Sequence, residues 1–249
     1  MVRRPLRTAQ RFLRFLAFSV TSVRDFHKAV RPHEANGIDA RRRAEWTHRH
    51  ARRLCRILNL TVETVGTAPE AALYGVNHLG YLDIVTLAAA TPVVFVSKAE
   101  VRGWPILGTL ADCGGTLFLQ RERKDELREV AQRFEPVIAA GVPVAVFLEG
   151  TSSGGDDVLP FRPGLLAPAV ASCWAVAPVG LNYEVSTGRV ADDVAYWRDD
   201  TFVPHFFKLL SHDWIRARVA FGTARLPGED RKVLARELRD AVVALRRPR

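Results

Sequence analysis

Four short apolar runs decide what this chain can fold into: YGV at 74–76, VVFV at 93–96, TLFL at 116–119 and VAVFL at 144–148. Each is too short for a helix and carries no charge. Such runs read as strands covered on both faces of a sheet. With further strands expected near 61–65, 175–181 and 216–221, they alternate with helical patterns near 81–90, 104–112, 124–140, 164–173 and 229–246. That alternation predicts an α/β fold with a largely parallel central sheet flanked by helices, and all four runs are expected to be central strands. Chemistry in such a sheet belongs at the carboxyl ends of the strands.

The 249 residues amount to one domain's length. Hydrophobic residues make up 48% and charged residues 25%, which excludes a disordered chain or a polytopic membrane bundle. The net charge of +9 is unevenly placed, because residues 1–57 alone hold 15 Lys plus Arg against four acids. The remainder is therefore slightly acidic. A basic segment can serve nucleic acid, an anionic bilayer or an acidic protein.

Within that segment Phe12, Phe15, Leu16, Ser19, Val20 and Val23 recur at helical spacing, flanked by Arg3, Arg4, Arg7, Arg11 and Arg14. The pattern predicts a helix lying in a bilayer interface. A second basic helix is expected from Asp39, which would cap it, to about Leu58. Only nine residues, 15–23, are uncharged here, far fewer than the roughly 20 needed to span a bilayer. No persuasive cleavage site follows, so the segment is expected to stay on the protein. The organisation read from this is a basic helical hairpin over 1–58, serving as a membrane-surface anchor, and a catalytic domain over 59–249.

Residues 163–183 form an uncharged stretch of 21, but Pro163, Pro168, Pro178, Gly164 and Gly180 interrupt it. A short helix followed by a buried strand is predicted. Cys55, Cys113 and Cys173 lie far apart with no metal-ligand spacing, and are read as reduced core thiols of a cytosolic protein. No metal site is expected; His48 and His50, two residues apart on a helix, do not face each other.

The strand at 71–76 runs into Asn77-His78-Leu79-Gly80-Tyr81-Leu82-Asp83 at a helix start. His78 and Asp83 meet only if His78 lies in the loop and folds back. A carboxylate would then fix the imidazole in one tautomer, making it a base for an alcohol. Further on come Lys98 after a strand, then Gly115, Phe118 and Arg121-Glu122-Arg123-Lys124, cations suited to an anionic group. The 143–148 strand ends in Glu149-Gly150-Thr151-Ser152-Ser153-Gly154, followed by Leu159-Pro160-Phe161-Arg162.

In this order NHLGYLD, GTLFLQR, LEGTSS and APVGL resemble the four motifs of the glycerolipid acyltransferases, the family of bacterial lysophosphatidic acid acyltransferases, over about residues 71–182. The resemblance weakens through 196–202, where Trp197, Asp200 and Phe202 are candidates for donor or membrane contact. It implies that His78 is the general base on an acceptor hydroxyl, oriented by Asp83 and supported by Asn77. The hydroxyl would attack an acyl thioester directly, with acyl-CoA or acyl carrier protein as co-substrate and no cofactor. Lys98, Arg121, Glu149, Gly150, Thr151, Ser152 and Arg162 would hold or shape the acceptor's head group, and 101–110 would line the acyl groove. Backbone N–H groups of Gly150 and Thr151 are candidate oxyanion donors. The family's anchor helices fit the basic hairpin, placing the enzyme on the cytoplasmic face of the inner membrane. In the family an Arg follows EGT; here Ser152 stands there and Leu148 replaces a Pro. That departure resembles the lyso-ornithine lipid branch. The acceptor implied first is 1-acyl-glycerol-3-phosphate, with lyso-ornithine lipid as the alternative.

Two rivals remain. Gly150-Thr151-Ser152-Ser153-Gly154 reads as a GxSxG elbow with Asp192 and His205 following, the order of a serine hydrolase. An elbow needs a helix directly after the serine, however, and Gly154, Gly155, Pro160 and Pro163 oppose one. A nucleic-acid-binding module lacks any known signature, and no nucleic-acid partner is expected.

Overall fold

The structure is a computed structural model that describes residues 4–35, 37–119 and 126–247. Seven strands, β1 (Leu60–Val65), β2 (Leu73–Val76), β3 (Val94–Lys98), β4 (Leu117–Leu119), β5 (Val144–Phe147), β6 (Val176–Val185) and β7 (Ile215–Phe221), form one sheet. Their order is β1-β7-β6-β2-β5-β3-β4, and neighbours are parallel except β6 with β7. This is the expected fold class. The helices are α1 (Pro5–Ala29), α2 (Ala40–Leu58), α3 (Leu82–Ala90), α4 (Leu107–Cys113), α5 (Glu126–Ala139), α6 (Ala167–Ala171), α7 (Val190–Asp193), α8 (Phe202–Leu210) and α9 (Arg231–Arg246).

The two-sided burial of β2 and β5 follows from alternation. Leu73, Val144, Val146 and Val176 pack with Leu234, Leu238 and Val242 of α9. Their neighbours Tyr74, Val76, Ala145 and Ala177 point the other way and pack with Leu87 and Ala88 of α3. The TLFL run departs from expectation: β4 is an edge strand and only half-buried. Three apolar residues suffice for an edge, so run composition alone does not report sheet position. The uncharged 163–183 stretch resolves into a 3₁₀ turn, α6 and most of β6. Pattern reading also missed α8, which carries Pro204 in its first turn, where proline is tolerated.

Asp39 caps α2 by accepting from the Arg42 amide at 2.9 Å. Of the α1 stripe, only Val20 faces outward. Phe15, Phe18, Ser19, Ser22 and Phe26 are buried against the rest of the protein, with Phe15 4.9 Å from Phe206 and Phe12 4.9 Å from Phe207. Several arginines read as membrane-facing are occupied internally. Arg11 donates to the carbonyls of Leu210, His212 and Asp213, capping the carboxyl end of α8, and Arg4 and Arg7 pair with Asp213. What α1 leaves exposed is a row spaced seven residues apart, Leu6, Leu13 and Val20, of which only Val20 belongs to the expected stripe. On α2, Arg43 binds Glu34 through two nitrogens, at 2.6 and 2.9 Å. No described helix is long and apolar enough to cross a membrane.

Cys55 and Cys113 are buried free thiols, but Cys173 is exposed after α6, which corrects its assignment to the core.

Candidate active site

His78 follows β2 in an irregular turn, and Asp83 is the second residue of α3. The turn folds back so that His78 Nδ1 lies 2.8 Å from Asp83 Oδ2. The same oxygen accepts from the amides of Leu79, at 2.6 Å, and Gly80, at 3.0 Å. Gly80 is required here: a Cβ would lie 2.9 Å from the Tyr196 backbone nitrogen. The other oxygen of Asp83 accepts from the Tyr183 hydroxyl at 2.8 Å, and that hydroxyl lies 3.0 Å from Thr86 Oγ1. Asp83 is fully buried, and burial together with this carboxylate holds the Tyr183 phenol well above its ordinary pKa. A carboxylate only accepts, so Nδ1 carries the proton and Nε2 is left with its lone pair. The imidazole stacks on Phe147, ring centroids 4.0 Å apart.

Glu149 acts on the backbone. Its Oε1 accepts from the His78 amide at 2.7 Å and Oε2 from the Leu159 amide at 3.1 Å. Burial raises its pKa, and the two amides oppose that rise. Asn77 clasps β6, donating to the Leu181 carbonyl at 3.1 Å and accepting from its amide at 2.8 Å. The Gly150 amide donates to Phe147 O at 3.1 Å, so it is already committed, whereas Thr151 is exposed at the turn. Arg162 donates through Nε to the Glu149 carbonyl at 3.2 Å with its side chain at the surface. Lys98 is exposed at the end of β3. Gly115, in a left-handed turn with φ 77°, sits against Arg43, and Phe118 lies in β4 with its carbonyl bound by Arg133. Arg121, Arg123 and Lys124 lie outside the described residues.

The hydrolase constellation is not assembled. Ser152 Oγ donates to the Tyr196 carbonyl at 2.5 Å, and no helix directly follows it. His205 is engaged elsewhere, accepting from the Tyr81 hydroxyl at 2.7 Å and donating to the Ala195 carbonyl at 3.0 Å. Asp192 sits on α7 beside Arg189.

An apolar cavity of about 170 Å³ lies between α1, α2, α3, α4 and α8, with Tyr81, Leu82, Trp46, Ala88 and Gly114 in its lining. Val101, Trp104, Leu107 and Leu110 of the 101–110 span also line it, and Phe202 joins them. Trp197 instead bonds Ala191 O and packs on Gly154. Sequence reasoning missed Tyr183, Phe147, the α8 wall and the α1 and α2 contribution to this cavity.

The sequence profile of the acyltransferase family matches residues 59–182. The lyso-ornithine lipid O-acyltransferase of Pseudomonas aeruginosa is 35% identical over 193 residues, 76% of this chain and 74% of that protein. This chain belongs to the acyltransferase family. Another relative of this acyltransferase is the 1-acyl-sn-glycerol-3-phosphate acyltransferase of Neisseria meningitidis, 27% identical over 76% of this chain and 75% of that protein. The crystal structure of the 1-acyl-sn-glycerophosphate acyltransferase of Thermotoga maritima shares the fold, with a TM-score of 0.64 at 19% identity, covering 94% of this chain and 95% of that one.

Proposed function

We propose that this acyltransferase moves a fatty acyl chain from a thioester, acyl-CoA or acyl carrier protein, to the free hydroxyl of a lysolipid. The carrying observation is His78 Nδ1 held 2.8 Å from a fully buried carboxylate, at the helix start that also walls the apolar cavity. His78 Nε2 takes the hydroxyl proton as the oxygen attacks the thioester carbonyl. The tetrahedral intermediate collapses by breaking the C–S bond, and His78 returns the proton to the leaving thiolate. The products are an ester and a free thiol. Asp83 stabilises the transient imidazolium, and Thr151 is the remaining backbone candidate for the oxyanion. The thioester is already activated, so no cofactor or metal enters this scheme.

Two acceptors fit. Lysophosphatidic acid is the acceptor the motif order implies first, and Lys98 and Arg162 are the described cations for its phosphate. Ser152, in the place of the family's Arg and turned to Tyr196, instead supports lyso-ornithine lipid, the substrate in the name of several relatives. The exposed Leu6, Leu13 and Val20, with Arg49, Arg52 and Arg56 making no ion pair among the described residues, support residence on an anionic bilayer surface at its cytoplasmic face.

The test is transfer of labelled acyl groups to lysophosphatidic acid, lyso-ornithine lipid and lysophosphatidylcholine by the protein and by His78→Ala. Transfer that His78→Ala abolishes is the expected result, and the accepted lysolipid identifies the acceptor. Transfer indifferent to His78, or to none of the three, overturns the proposal.

A further inference from the structure

The last turn of α9 reaches the catalytic loop from behind the sheet. Gly180 in β6 makes room for it: a Cβ there would lie 3.0 Å from Leu245 Cβ and 3.3 Å from Arg246 Cγ. Gly222, just past β7, clears space for the same leucine. The approach delivers one guanidinium to two backbone carbonyls. Arg246 Nε donates to Leu181 O at 3.1 Å, and Nη2 donates to Gly155 O.

Both carbonyls belong to segments that hold His78. Leu181 is the residue clasped by Asn77, which directly precedes His78. Gly155, with φ 81° and the Leu79 side chain against its α-carbon, ends the loop in which the Ser153 amide donates to His78 O at 2.9 Å. The strand end and the loop on either side of His78 are therefore tied by a single side chain whose fork matches two acceptors.

Charge adds to the geometry. Asp83 and Glu149, the buried carboxylates that orient the His78 ring and its amide, have no Lys or Arg within ion-pair distance among the described residues. Burial lowers the Arg246 pKa, and the fields of Glu149, Asp157, Asp83 and Asp156 oppose that fall in part. Arg246 is half-buried, and its field couples to both carboxylates.

We infer that Arg246 is a positioning residue of the acyl-transfer site, acting on His78 through the Gly155 loop and the end of β6. The inference rests on the proposed acyl transfer. It is tested with Arg246→Met and Arg246→Lys in the full chain, measuring kcat and KM for both substrates, melting temperature, and hydrogen exchange of the Ser153 amide. In Arg246→Met, kcat is expected to fall ~30-fold, the scale of one charge-assisted hydrogen bond, because only part of the loss is passed on to His78, with KM held within about twofold. Arg246→Lys should recover part of kcat, because a point charge satisfies one carbonyl at a time. The Ser153 amide should exchange faster in Arg246→Met by a larger factor than amides of the distant α2, with the melting temperature falling by only a few degrees. Unchanged kcat, or kcat and KM worsening together with the melting temperature in both variants, overturns the inference. If the parent protein transfers to no lysolipid, the functional proposal fails separately. Exchange then decides for Arg246: faster Ser153 exchange supports positioning, and unchanged protection in both variants overturns it.

Discussion

The Tyr183 hydroxyl donates to Asp83 Oδ1 at 2.8 Å while Asp83 Oδ2 lies 2.8 Å from His78 Nδ1, so one buried carboxylate is oriented from β6 and orients the imidazole in turn. Removing the hydroxyl leaves an ionised oxygen short of a donor. Tyr183→Phe should lower kcat by about tenfold, from a charge-assisted bond worth roughly 1.5–3 kcal/mol that is only partly made good by Thr86. Steady-state kinetics check this; KM should stay near its original value because Tyr183 does not line the cavity.

Ala88 lines the cavity two turns along α3 from Tyr81 and is itself buried. Ala88→Leu narrows the cavity there. Donors with long chains should lose about tenfold or more in kcat/KM, the scale of overpacking at roughly 1–3 kcal/mol, while short-chain donors keep theirs. A chain-length series assayed beside a melting curve separates this from general damage.

Arg11 holds three carbonyls after α8, two of them on Leu210, at 3.0 Å, and Asp213, at 3.4 Å. Arg11→Met should cost about 2 kcal/mol. For a chain of this size that corresponds to a melting temperature lower by roughly 4–8 °C, measurable by calorimetry. Equal melting temperatures would mean that α1 is held by its aromatic face alone.

Burial pushes the Cys55 thiol up to about 12 and the Cys113 thiol up to about 11, from an ordinary value of 9.0. Because the folded state keeps these protons longer than the unfolded state, their stabilisation is complete below pH 9.0 and is lost as pH rises through 11 to 12. Urea unfolding should show stability falling over that window, with a shallower fall in Cys113→Ala. At neutral pH a thiol reagent should label Cys173 rapidly and the other two slowly, and Cys173→Ser should abolish the fast phase.

The strand runs, the 3.6-residue patterns and the Asp39 cap were readable because each depends on neighbours within one element. The His78–Asp83 pair was readable for a similar reason: five residues across a loop-to-helix turn allow few arrangements, and the motif order marked it. TLFL failed as a central strand because an edge and a centre look alike in three residues. The α1 stripe failed in direction, since periodicity shows that one face is apolar without naming what covers it. Here α8 covers Phe12 and Phe15 while Val20 stays exposed, and α8 itself was unseen.

Local sequence alone determined the α/β alternation, the basic amino-terminal helices and the His78–Asp83 pair, because short-range sterics and side-chain periodicity act within a few residues. Tertiary structure decided the rest. Tyr183 on Asp83, Glu149 on the His78 amide, Arg246 on Gly155 and Arg11 on the end of α8 are contacts between residues 71 to 201 positions apart. Their partners are mostly backbone carbonyls and amides, which every residue carries, so nothing in the side-chain sequence marks where those bonds will form until the sheet brings the segments together.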